Sequence, residues 1–295
     1  MKKHFNYYMA MFVVLFSCNN ENNNINKVNK EKNNELPTKD TIIKSVNKTI
    51  CDSGFNIATR FLPPEGFNRI DYEKNTFGYY LQHLPLKPSG EKVKYYDGEI
   101  KYKNVYDAVV DMEISKNNLQ QCADAVIRLK AEYLYSQKKF DEISFSLTNG
   151  FIMDYSEWIN GNRLAIDGKK TYWKKTAEIS NTYKDFRAYL ETVFSYAGTI
   201  SLEKSLKAKT NNDIECGDVF IKGGDPGHAV IVVDVAINKN REKVFLLAQS
   251  YMPAQETQIL KNFNNSTISP WYSSNFKDTL KTPEWIFTKS QLKTW

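Results

Sequence analysis

The chain has 295 residues, 41% of them hydrophobic and 14% aromatic, which suffices for a large buried core and exceeds a minimal module. One domain with insertions, or two small domains, is the expectation from length. The formal charge of +6 arises from 40 basic and 34 acidic residues scattered along the chain, with no arginine cluster and no basic helix face, and nucleic acid is therefore not expected as a partner.

Residues 1–18 begin with Lys2-Lys3 and continue through a short apolar stretch to Ser17-Cys18. A membrane-spanning helix needs about twenty apolar residues, so this layout is that of a signal peptide. The small residue before Cys18 resembles the lipobox of bacterial lipoproteins, although Phe16 is bulkier than usual there. That resemblance implies acylation of Cys18 and a lipid anchor in a membrane of the cell envelope, on the periplasmic side or at the cell surface. Residues 19–40 are rich in Asn and Lys and cannot bury enough surface to offset their ordering entropy, which predicts a disordered tether. The folded part is expected to be one α+β domain over residues 41–295.

Within 41–69 a short helix is expected, followed by a turn at Pro63, Pro64 and Gly66. Residues 98–102 and 105–114 have the composition of strands, the second partly alternating apolar and polar. After 115–118, apolar or small residues recur at 122, 126, 129 and 133, the spacing of one helix face. Asn118 with Gln121 resembles a capping pair, which places Cys122 in the first helical turn. Residues 140–210 are mixed and tryptophan-bearing; 183–196 has helical periodicity, with Gly198 as its expected stop. Strands are expected near 217–220, 229–236 and 244–252, with a glycine-rich loop at 223–227 and a polar turn at 238–242. The tail carries SPWY and TPEW in loop-rich sequence, and no internal repeat is present.

Three histidines occur, and His4 falls in the signal peptide, leaving His83 and His228. Zinc spacings, a GxSxG elbow and a phosphate loop are all absent from the sequence, so no metal or organic cofactor is implied. A cysteine nucleophile is the chemistry that two histidines can serve. Removing Cys18 leaves Cys51, Cys122 and Cys216, an odd number in an oxidising compartment, so at least one thiol stays unpaired within the chain. Cys122, at a helix N-terminus, is the candidate nucleophile, because that position favours the thiolate and supplies N–H groups for an oxyanion. His228 is the candidate base. The strand beside it offers Gln249, with Ser250 as the other choice, to orient the imidazole. The plainer uses are a small buried hydrophobe at Cys122, a loop-capping ring at His228 and an ordinary buried amide at Gln249. Cys216 is expected to be structural or free at a strand start, with pairing to Cys51 as the alternative. Trp158, Trp173, Trp271 and Trp285 are expected mostly in the core, with a glycan- or peptide-lining groove as the alternative.

The run GDVFIKGGDPGHAVIVVD, hairpinning to LLAQSY, resembles the C-terminal half of the NlpC/P60 and CHAP families of papain-like cell-wall peptidases and amidases. The resemblance implies a papain-like core, a helix packed on an antiparallel sheet, with Cys122 as nucleophile, His228 as base and Gln249 as orienting residue. The order Gln121-Cys122-Ala123-Asp124 departs from the acid-Cys-Ser-Gly pattern of those enzymes. Cys122 and His228 also lie farther apart than is usual there, which marks 140–210 as a large helical insertion. RFLPPEGFNR, FRAYLETVFSYAGT and TPEW together resemble the bacterial lipoprotein family of domain of unknown function 4846. The expectation is a lipid-anchored envelope cysteine hydrolase acting on peptidoglycan peptide or a similar acyl substrate. The alternative is a non-catalytic lipoprotein binding a glycan, peptide or protein in the same cleft.

Overall fold

The computed structural model describes residues 49–209 and 213–295; the expected signal peptide, Cys18 and the tether lie outside the described residues. The helices are α1 (Ile57–Arg60), α2 (Phe77–Gln82), α3 (Cys122–Ser136), α4 (Tyr155–Ile159), α5 (Tyr183–Tyr196) and α6 (Thr199–Ser205). The strands in the first part of the chain are β1 (Phe67–Arg69), β2 (Tyr106–Val109), β3 (Ser144–Ser146), β4 (Ile152–Asp154), β5 (Asn162–Asp167), β6 (Lys170–Lys175) and β7 (Lys207–Ala208). Those that follow are β8 (Val219–Lys222), β9 (His228–Asn238), β10 (Lys243–Gln249), β11 (Gln258–Leu260), β12 (Tyr272–Ser273), β13 (Thr279–Lys281), β14 (Ile286–Thr288) and β15 (Leu292–Thr294).

The fold is α+β, built on a nine-stranded sheet in the order β2-β11-β10-β9-β8-β15-β7, with β1 added to β9 and β12 to β10. Its pairings are antiparallel. The run HAVIVVDVAIN makes β9 the spine: its β-branched residues suit a pleated surface, and both of its faces are buried. Ala229, Ile231 and Val233 face a core shared with Val126 and Leu129 of α3. Val230 and Val232 face a second core containing Phe220, Phe245 and Phe287.

Four local expectations are corrected. The cap of α3 is Gln121 rather than Asn118: Asp124 Oδ2 accepts the Gln121 N–H at 3.0 Å, while the Asn118 side-chain oxygen is engaged by the Ala254 N–H at 2.7 Å. Gly198 is extended (φ 177°) and opens α6 instead of stopping α5 in a left-handed turn. The stretch 98–102 forms only an isolated bridge, Lys94 to Ile100, and 105–114 shortens to β2. The 140–210 segment is not simply helical. It contains the hairpins β3–β4 and β5–β6 beside α4, α5 and α6, and its last strand, β7, pairs with β15 in the central sheet. Tyr155 and Phe186 meet edge to face at 5.4 Å and help to anchor α4 on α5.

Candidate functional site

A cleft of about 620 Å³ opens where the first turn of α3, the loop before β9 and the chain after β10 converge. Phe194 and Thr199 also line it, so the 140–210 segment supplies one wall. The loop requires glycine at 227. A Cβ there would lie 2.4 Å from Thr199 Oγ1 and 2.5 Å from the Gly224 carbonyl, so the loop closes on the start of α6 only without a side chain. Another cavity, of about 630 Å³, adjoins Arg128 and Arg187. Its Glu132 pairs with Arg128 at 3.3 Å, lies 3.8 Å from Arg187 and accepts the Tyr183 hydroxyl, while Arg187 Nη1 and Glu191 Oε1 are buried without hydrogen-bond partners.

His228, the first residue of β9, is 1% exposed. Its Nε2 lies 2.9 Å from Gln249 Oε1, while Gln249 Nε2 donates to Glu284 Oε2 at 2.7 Å. The ammonium of Lys101 pairs with the same carboxylate oxygen at 2.7 Å. A carboxylate only accepts, so the Gln249 amide nitrogen faces Glu284 and its carbonyl oxygen faces the ring. The ring must then donate from Nε2, and Nδ1 carries the lone pair. Burial pulls the His228 pKa down to about 4, outweighing the Gln249 hydrogen bond and the Glu284 charge, and the ring is neutral near pH 7. It packs among Tyr251, Trp285 and Phe287, with centroids at 4.9, 5.4 and 5.9 Å.

Cys122 is the first residue of α3 and is half-buried. Burial pushes its thiol up to about 11, although the backbone N–H groups of Ala229, Ala123 and Cys122 itself favour the thiolate. The resting thiol is therefore protonated. The His228 ring packs on Phe287, on the side of Val230, whereas the Cys122 sulfur accepts from the Ala229 backbone N–H. Both residues line the cleft, but among the described residues no hydrogen bond joins them.

Ser250 is directed elsewhere, its Oγ 2.7 Å from the Gln255 carbonyl and 3.0 Å from that of Gln120. His83 lies at the end of α2, stacked on Tyr79 at 3.9 Å, away from the cleft. Cys216 forms no disulfide and sits against Gly78 and Tyr72. Of the four tryptophans considered, Trp285 lines the cleft; Trp271 and Trp158 are core residues, and Trp173 packs on Phe151. Sequence reasoning missed Lys101, Tyr251 and Glu284. Among the described residues no group of three or more His, Cys, Asp or Glu side chains is gathered to hold a metal ion. No described helix is long and apolar enough to cross a membrane.

The fold and cleft thus define an α+β protein with a buried Lys-Glu-Gln-His relay beside a helix-initiating cysteine. The family model for Domain of unknown function (4846) matches residues 57–294, and the chain belongs to that family. No curated protein and no solved structure matches it.

Proposed function

We propose that the protein is a papain-like cysteine peptidase or amidase acting on cell-wall peptide or a similar acyl substrate, held at the envelope by a lipid on Cys18. The observation that carries this reading is the relay fixing the His228 tautomer, because it leaves Nδ1 unprotonated on a ring that lines the same cleft as Cys122. A surface histidine capping a loop needs no such support. With ring and thiol both neutral at rest, attack begins by proton transfer rather than from a preformed ion pair. His228 Nδ1 takes the thiol proton as Sγ adds to the substrate carbonyl. The first-turn N–H groups of α3 hold the oxyanion, and His228 returns the proton to the leaving amine. Water then hydrolyses the thioester, with His228 again as base. Closing the ring onto the thiol is a movement that substrate binding must supply.

The test is digestion of purified muropeptides by the full chain, with mass spectrometry of products and of a trapped acyl-enzyme. Cleavage that is lost in Cys122→Ala and His228→Gln supports the hydrolase; cleavage unchanged in Cys122→Ala refutes it. For the anchor, Cys18→Ala must move the protein out of the membrane fraction. The lack of a hydrogen bond between ring and thiol among the described residues, with the thiol held protonated, favours one second reading, a cleft that binds peptide or glycan without cutting it. Tight muropeptide binding with no turnover in the unmodified protein would select it.

A further inference from the structure

The hairpin of β5 and β6 stands outside the central sheet, its two strands paired with each other. Arg163 lies opposite Lys174, Ala165 opposite Tyr172 and Asp167 opposite Lys170, and opposed residues of an antiparallel pair point to the same side. The other side of the ribbon, with Leu164 and Trp173, is turned to the body of the protein. Both residues pack on the main core, Trp173 meets Phe151 at 5.5 Å, and Asn149 Nδ2 donates to Thr171 Oγ1 at 2.7 Å. Lys170, Tyr172 and Lys174 therefore project outward, and all three are exposed, Tyr172 at 43%.

The hairpin is strongly cationic. Residues 162–175 contain Arg163, Lys169, Lys170, Lys174 and Lys175 against a single acid, Asp167, a net +4 within a chain that carries +6 in all. Among the described residues, none of these four lysines has a carboxylate within ion-pair distance. Arg163 is already engaged: its guanidinium lies 4.0 Å over the Trp158 ring and donates to the Trp158 carbonyl at 2.8 Å. Ala165 is too small to cover the ring opposite it, so Tyr172 stays open between two ammonium groups that nothing neutralises. An interface between water and anionic lipid headgroups satisfies this arrangement, with lysines at the headgroup charges and the apolar body of the tyrosine below them. A nucleic acid fits less well, because β5 gives the outward face Ala165, the acidic Asp167 and an arginine that is already engaged.

We propose that the outward face of the β5–β6 hairpin docks on an anionic lipid bilayer, with Lys170 and Lys174 against the headgroup charges and the Tyr172 ring seated between them. The contact orients the folded domain on the membrane, because the hairpin is fixed to the body through Trp173 and Thr171. It requires neither turnover at the cleft nor a lipid on Cys18, so its failure leaves the hydrolase reading untouched and the reverse holds equally.

The experiment uses the full chain carrying Cys18→Ala, which cannot be acylated, and vesicle co-sedimentation with phosphatidylcholine alone or with equal parts phosphatidylcholine and phosphatidylglycerol. Residues 1–18 are otherwise the same in every protein compared, so their own affinity for lipid cancels. A lysine at an anionic surface is worth about fivefold in binding, so Lys170→Gln with Lys174→Gln should weaken binding to the anionic vesicles by about 30-fold. Tyr172→Ser should weaken it several-fold, and high salt should remove most of the difference between the two vesicle types. Lys92→Gln with Lys239→Gln, two exposed lysines outside the hairpin, should change little. All the substituted side chains are exposed, and thermal unfolding checks that each variant folds. Acetylation of Lys170 and Lys174 by an activated ester, read by mass spectrometry, should slow on anionic vesicles and not on neutral ones. Anionic binding that survives the hairpin substitutions, an equal loss in the control pair, or unchanged acetylation overturns the proposal. So does tight binding of duplex DNA with the same lysine dependence in the absence of vesicle binding, which would assign the face to nucleic acid instead.

Discussion

Two buried groups at the cleft give opposite pH dependences of stability, and variants can separate them. The ring of His228 is held near a pKa of about 4 in the folded protein against 6.5 unfolded. Between these values the unfolded chain binds a proton that the folded protein does not, so stability rises with pH and is lost on acidification through this window. For Asp124 the folded value is about 8 against 3.8 unfolded, so the folded protein holds the extra proton and stability falls as pH rises through that window. Each full proton is worth about 1.4 kcal/mol per pH unit, which makes each contribution between about 2 and 3 kcal/mol from pH 4.5 to 6.5, with opposite signs. The unmodified protein should therefore show little net slope from this pair. Relative to it, His228→Gln should lose stability, and Asp124→Asn gain it, as pH rises across that interval. Urea unfolding midpoints of the three proteins at a series of pH values give the differences, in which the other titrating groups cancel. Curves for the variants that run parallel to that of the unmodified protein would show that neither group is buried in the stated protonation state.

Three further outcomes are expected. Glu284→Gln leaves the Lys101 ammonium buried without its partner and should cost about 3–5 kcal/mol, with Lys101→Met in the same chain recovering much of it; thermal unfolding of the single and double variants measures the coupling. Gly227→Ala forces its methyl against Thr199 Oγ1 and the Gly224 carbonyl, and a loss of about 1–3 kcal/mol with a displaced loop is expected by calorimetry and crystallography. Alkylation of Cys122 by iodoacetamide, followed on its peptide by mass spectrometry, should be slow at pH 7 and climb toward an apparent pKa of about 11; a midpoint near that of an ordinary thiol contradicts the burial argument.

Local periodicity made the elements around the cleft legible. The 3.6-residue spacing after residue 118 marks α3 and places Cys122 in its first turn, and the β-branched run after Gly227 marks β9. The hairpin between β9 and β10 pairs Ala248 with Ile231, and this register places Gln249 rather than Ser250 on the face of His228. The sequence left that choice open because turn length does not fix register when a bulge intervenes, as it does at Leu246 and Leu247. The face of His228 was also readable: alternation through HAVIVV groups the histidine with Val230 and Val232, while Ala229 turns to the other side.

What sequence could not show is the support behind the ring. Glu284 reaches Gln249 from a loop ahead of β14, and Lys101 reaches Glu284 from irregular chain before β2, far away along the sequence. Charged residues in loops are ordinarily solvated, so neither periodicity nor composition distinguishes these two. Only the tertiary fold removes water from them, and the lysine and glutamate then become tolerable because they neutralise each other and leave one amide to pass the constraint to the histidine. The orphan oxygen of Asp124 was hidden for the converse reason. An acidic residue in a first helical turn is explained by capping alone, and capping does satisfy Oδ2; only the tertiary fold buries Oδ1 without a partner, and that burial pushes the carboxyl well above the usual carboxylate range. The cleft is thus best read from its unsatisfied chemistry, which sequence spacing does not encode.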